Sequence, residues 1–129
     1  MEISLTPRHL EQLANLARES LPNESCAFLI GIDNVVTEIL PMQNSDESAV
    51  SFSIEPQQVL HAYELAESKR LQVLGIFHSH PASPVPSSTD RKYMEINPVV
   101  WLIYSTTNYM FRAYIHSNEI IEVALKIRA

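Results

Sequence analysis

His78 and His80, two positions apart, close the apolar run Leu74-Gly-Ile-Phe77, and a carboxylate follows at Asp90. In an extended strand, residues i and i+2 face the same side. Both imidazoles can therefore aim at one point. Zinc accepts imidazole nitrogen and carboxylate oxygen, and a catalytic zinc site keeps one position for water. The ten-residue step from His80 to Asp90 leaves the chain room to fold back. Water activated on such a site is hydrolytic chemistry, and it needs a base to take the proton. Glu24 is the candidate, because it precedes the apolar run Cys26-Ala-Phe-Leu-Ile30. A carboxylate at the mouth of a core strand is costly to bury unless it is paired. The same residues also fit a reading without metal: two strand histidines, a solvated Glu24, and Asp90 in a capping box with Ser87.

The elements that must position these groups follow from periodicity. Thr6-Pro7 opens a helix, with Thr6 as cap and Pro7 at the first helical position. Leu10, Leu13, Ala14, Ala17 and Leu21 keep one apolar face through it, and Pro22-Asn23 ends it. Cys26 to Ile30 reads as a buried strand, Gly31 to Asn34 as a turn, and Val35 to Leu40 as a second strand. Pro41 to Glu47 is polar loop, and Ala49 to Ile54 alternates like a short strand. Pro56 opens a second helix with Val59, Leu60, Tyr63 and Ala66 on one face. Leu71 to Phe77 is the strand that delivers the histidine pair. A Pro/Ser loop and a short helix from about Ser87 to Met94 follow. Val99–Tyr104, Tyr109–Ile115 and Ile120–Ile127 form an antiparallel meander of strands. The expected fold is an α/β domain with a mixed, largely antiparallel sheet flanked by helices.

Residues 1–129 are read as a single domain, long enough to bury a core without staples. A net charge of -6 repels phosphate backbones, so nucleic-acid binding is not expected. The one cysteine, Cys26, allows no internal disulfide and no multi-thiolate zinc site. It fits a reducing cytoplasm, and its expected role is packing. The start, Met1-Glu2-Ile3-Ser4, has no basic region followed by an apolar one, so no signal peptide is expected. No apolar run approaches the length of a membrane span. A His-x-His amidohydrolase barrel needs about 250 residues and is excluded by length. His9, His61 and His116 lie outside the constellation, and Trp101 and Tyr104 read as core. The apolar C-terminal strands offer a face for a homodimer.

Glu24 in Pro22-x-Glu24-x-Cys26-x-x-Leu29, then His78-Ser79-His80-Pro81, then Pro86-Ser87-x-x-Asp90, resembles the JAMM (MPN+) zinc metalloprotease family, in its minimal prokaryotic form. The resemblance spans nearly the whole chain. It implies a cytidine-deaminase-like layered fold and one zinc ion per chain, held by His78, His80 and Asp90. Glu24 would be general base and acid, and Ser87 would donate a hydrogen bond to the oxyanion. The implied reaction is hydrolysis of a peptide or isopeptide bond, after the diglycine tail of a ubiquitin-like modifier or sulfur-carrier protein. The fold's other uses are a non-catalytic scaffold, whose members typically lose the ligands kept here, and a nucleoside deaminase, whose site needs more cysteines. Two departures stand out. Pro81 to Pro86 is six residues where the family usually places seven, and the two insertions with which eukaryotic deubiquitinating members grip ubiquitin are missing.

Overall fold

The structure is a computed structural model that describes residues 1–42 and 55–129. The strand expected at Ala49 to Ile54 lies outside the described residues, as does the polar loop expected at Pro41 to Glu47 except for Pro41 and Met42, which continue the preceding strand. Strand β1 (Glu2–Leu5) is followed by helix α1 (Pro7–Ser20), strands β2 (Cys26–Ile32) and β3 (Val35–Met42) and helix α2 (Pro56–Ser68). Then come β4 (Gln72–His80), α3 (Ser88–Ile96), β5 (Val100–Ser105), β6 (Phe111–Ser117) and β7 (Glu119–Ile127).

The strands are ordered β1-β3-β2-β4-β5-β6-β7 and close into a barrel. The β5-β6-β7 meander is antiparallel, as expected. The β4/β5, β1/β7 and β1/β3 pairings are parallel and the other four are antiparallel, so the sheet is mixed. The layered, cytidine-deaminase-like description does not include this closure. The closing strand is β1, which pairs along β7 from Glu2↔Ala124 to Leu5↔Ile127. Sequence reading missed it because four residues carry too little alternation to stand out. Its burial explains its role: Ile3 and Leu5 are fully buried.

Both faces of the sheet are covered. On one face α1 packs Leu13 and Ala17 against Ala27, Leu29, Phe77 and Leu102. On the other, Ala62 and Ala66 of α2 and Met94 of α3 pack against Phe28, Ile30, Ile76 and Trp101. The alternation along β4 follows from the pleat: Phe77 joins the first cluster and Ile76 the second. Trp101 and Tyr104 lie in the core, as their sequence context suggests.

Local signals set the ends of these elements. Thr6 caps α1 by accepting from His9 N–H at 3.2 Å. The β2–β3 hairpin turns at Asp33 and Asn34, both with positive φ, a geometry in which short polar side chains are tolerated. β2 therefore runs to Ile32, further than Ile30. At Gly31 the pairing with β3 slips, and a Cβ there would overlap the Val35 backbone. Gly31→Ala is expected to destabilise the fold by about 1–3 kcal/mol or more. Urea unfolding with an unchanged midpoint would contradict this close approach.

Candidate metal centre

β4 extends to His80, so both histidines sit on the strand itself rather than beyond it. Their side chains share the α2/α3 face of the sheet with Ile76. Pro81 has no N–H to continue the ladder, and the chain leaves the sheet there. The short loop returns at Ser87, which is the N-cap of α3, as its capping-box pattern suggests. Ser87 Oγ accepts from Asp90 N–H at 3.1 Å, and Ser87 N–H donates to Asp90 Oδ2 at 2.7 Å. This reciprocal capping box pins Asp90 at the third helical position.

Asp90 Oδ2 thereby comes to 3.3 Å from His78 Nε2 and 3.1 Å from His80 Nε2. The two Nε2 atoms are 2.8 Å apart. Three lone-pair atoms on a triangle of this size fit one cation. Tetrahedral bonds of about 2.0–2.1 Å place neighbouring ligand atoms about 3.3 Å apart. An all-nitrogen-and-oxygen set with buried imidazoles suits zinc. The capping-box reading of Asp90 and the ligand reading are compatible, because the same carboxylate does both.

Glu24 reaches this group through the β2/β4 register. Cys26 is paired with His78 and the strands are antiparallel. Counting back from Cys26 and forward from His78 puts Ser25 beside Ser79 and Glu24 beside His80. Donor atoms of Glu24, His78 and His80 all lie within 4.8 Å of one another. Two carboxylates therefore stand beside the imidazole pair, Asp90 Oδ2 at 3.1–3.3 Å and Glu24 within 4.8 Å. Glu24 is only 5% exposed, so the solvated-loop alternative does not hold.

The electrostatics follow from this crowding. Burial pushes the Glu24 carboxyl up to about 7, Asp90 adds to the rise, and His80 opposes it. Burial drives His78 down to about 4 despite Asp90. His80 is also penalised by burial, but its hydrogen bond to Asp90 and the charges of Asp90 and Glu24 hold it above the usual histidine range. Asp90 is held below the usual carboxylate range against its own burial, first by its hydrogen bond with His80 and then by the charge of His78. Two imidazole nitrogens and a carboxylate oxygen thus converge on one point, where a divalent cation would engage all three lone pairs.

A cleft of about 350 Å³ opens at this point, lined by Glu24, His80, Pro81, Ala82, Ser83, Val85, Pro86 and Ser87. Its loop wall is tied down from β6, where the buried Tyr114 hydroxyl donates to the Pro84 carbonyl at 3.0 Å. The His80 carbonyl accepts from Thr106 N–H at 2.8 Å and from its hydroxyl at 3.2 Å. Tyr114 and Thr106 escaped sequence reading, because a strand tyrosine and a turn threonine carry no motif. The cavity of similar size lined by Ala14, Arg18, Leu21 and Tyr104 belongs to the other face and holds none of the five residues. Cys26 is fully buried, and burial pushes its thiol up to about 12.

A sequence model of the family described as prokaryotic homologs of the JAB domain matches residues 6–116. The chain is 36% identical over 126 residues to a Desampylase from Pyrococcus furiosus, a match covering 95% of this chain and 89% of that protein. The solution structure of a protein from Desulfitobacterium hafniense superposes with a TM-score of 0.84 at 30% identity, over 98% of this chain and 92% of that one. A solved structure described as a JAMM metalloprotease-like zinc site in the proteasome and signalosome shares the fold, with a TM-score of 0.60 at 22% identity over 100% and 98% of the two chains.

Two outcomes are expected from this geometry. Elemental analysis is expected to find about one zinc per wild-type chain and to find it lost in Asp90→Ala and in His80→Ala; stoichiometric zinc in both variants would mean another ligand set. Iodoacetamide at about pH 8 should label Cys26 only after denaturation, since a buried, protonated thiol is unreactive; rapid labelling of the folded protein would contradict the packing role.

Proposed function

The chain belongs to the family of prokaryotic JAB-domain homologues, a minimal form of the JAMM/MPN family, and on that premise we propose that it is a zinc-dependent isopeptidase acting on ubiquitin-like proteins. The observation that carries this is the donor triangle of His78, His80 and Asp90 with the buried Glu24 carboxyl beside it. The relative named Desampylase and the fold likeness to a metalloprotease-like zinc site support the reading.

His78, His80 and Asp90 would hold the zinc ion. Zinc so held supplies Lewis acidity and an activated water near neutral pH. Glu24 serves proton transfer: a carboxyl raised to about 7 can both accept a proton and return it to a leaving amine. Ser87 lines the cleft, and its oxygen accepts from Asp90 N–H. A hydroxyl that accepts at its lone pair keeps its own proton to donate. Ser87 can therefore still donate to a developing oxyanion in the cleft, a contact typically worth about 3 kcal/mol. The wall of small and proline residues between Pro81 and Pro86 leaves room for a narrow peptide such as a diglycine tail. We take residues 1–129 as one catalytic domain, and either a ubiquitin-like modifier or a sulfur-carrier protein as its substrate.

Cleavage of a diglycine-linked ubiquitin-like fusion, run alongside zinc analysis, tests the proposal. Glu24→Gln should keep its zinc and lose roughly 100- to 10,000-fold in kcat. Full activity in that variant would remove Glu24 from the mechanism.

A further inference from the structure

Between the two groups of the site runs a second, unassigned polar contact. Ser25 follows Glu24, and Ser79 separates the two histidines. Both are buried, at 3% and 1% exposure. By the pleat they lie on the face opposite the site, the α1 side, where the neighbouring inward residues are Ala27, Leu29 and Phe77. Hydroxyls among apolar neighbours are unfavourable unless they are bonded, and an apolar pair of similar shape would serve packing equally well.

Their bonding is unusual for a strand pair. Ser79 N–H donates to the Ser25 carbonyl at 3.0 Å, as a ladder requires. The return bond does not use the Ser79 carbonyl: Ser25 N–H donates to Ser79 Oγ at 2.9 Å. The two hydroxyl oxygens then sit 2.8 Å apart and share a hydrogen bond. β2 begins only at Cys26, so Ser25 and Glu24 lie beyond the regular ladder. A side chain of β4 thus takes over from the backbone where the two strands part, at the residue between the metal ligands.

We propose that Ser79 is a positioning residue: through Ser25 it sets the height of the Glu24 carboxylate over His80. This rests on the reading of Glu24 as the proton-transfer group. Losing the Ser79 oxygen leaves the Ser25 N–H buried and unpaired, and Glu24 then swings with the segment that follows Pro22. Misplacing a reacting group by about 1 Å can cost on the order of 100-fold in rate. The metal ligands are held by β4 itself and by α3, so zinc binding should survive.

The test uses full-length Ser79→Ala and Ser79→Thr, with Ser79→Cys, a much weaker acceptor, as substitute if the alanine variant fails to fold. Amide hydrogen exchange reports the contact without any turnover. The Ser25 amide should be protected in wild type and in Ser79→Thr, and should exchange freely in Ser79→Ala. Kinetics on the diglycine-linked fusion report its consequence. Ser79→Ala should retain one zinc per chain and its KM while kcat falls roughly 10- to 100-fold. Ser79→Thr should restore kcat, and adding Ser79→Ala to Glu24→Gln should lower the rate no further. An unprotected Ser25 amide in wild type, an unchanged kcat in Ser79→Ala, or additive losses in the double variant would each overturn the proposal. An inactive wild type with a protected Ser25 amide would instead overturn the isopeptidase reading on which the positioning role rests.

Discussion

The antiparallel register that pairs Cys26 with His78 is the constraint on which the site depends. It brings a carboxylate and an imidazole that are 56 positions apart in the chain onto one face of one sheet. A slip of a single residue would turn Glu24 away from His80, because the side-chain period of a strand is two. The same slip would drive Phe28 and Ile30 out of the cluster that also holds Trp101 and Met94. Core packing and catalytic alignment are therefore enforced by the same register. The two apolar clusters on the two faces of β2 and β4 make that register costly to change.

Against this background the polar end of the barrel is expensive. Glu24, His78, His80 and Asp90 are all no more than 6% exposed. Isolated buried charges each cost several kcal/mol, and such groups survive when they are paired and bonded. Here the pairing is internal: Asp90 faces both imidazoles, and His80 in turn faces Glu24. The opposite directions in which His78 and His80 are shifted come from the same crowding: burial dominates at the fully buried His78, whereas the bond to Asp90 and the charges of Asp90 and Glu24 outweigh it at His80.

The capping box at α3 resolves what looked in the sequence like two competing explanations of Asp90. A helix start and a ligand carboxylate have the same requirement, a fixed carboxylate oxygen at the third helical position. The backbone N–H of Ser87 supplies that restraint. The loop that leads there, Pro81 to Pro86, is only six residues long. Ser87 still reaches the N-cap, and Tyr114 anchors the loop midway at Pro84. The tie from β6 connects the cleft wall to the core.

Much of this was legible in the residues because it is local. The i, i+2 placement of His78 and His80, the Ser87–Asp90 box, the Thr6 cap and the face of α1 are properties of backbone geometry over a few residues. The family resemblance likewise rested on short motifs read in order. What stayed hidden was set between distant segments. β1 had too few residues to announce itself and was recognisable only as the strand that joins β7 to β3. The barrel closure, the parallel pairings and the Ser79 bond to Ser25 all depend on which strands win each other as neighbours. That choice is made by burial across the whole chain, where every segment competes for the same core, and no stretch of sequence contains it.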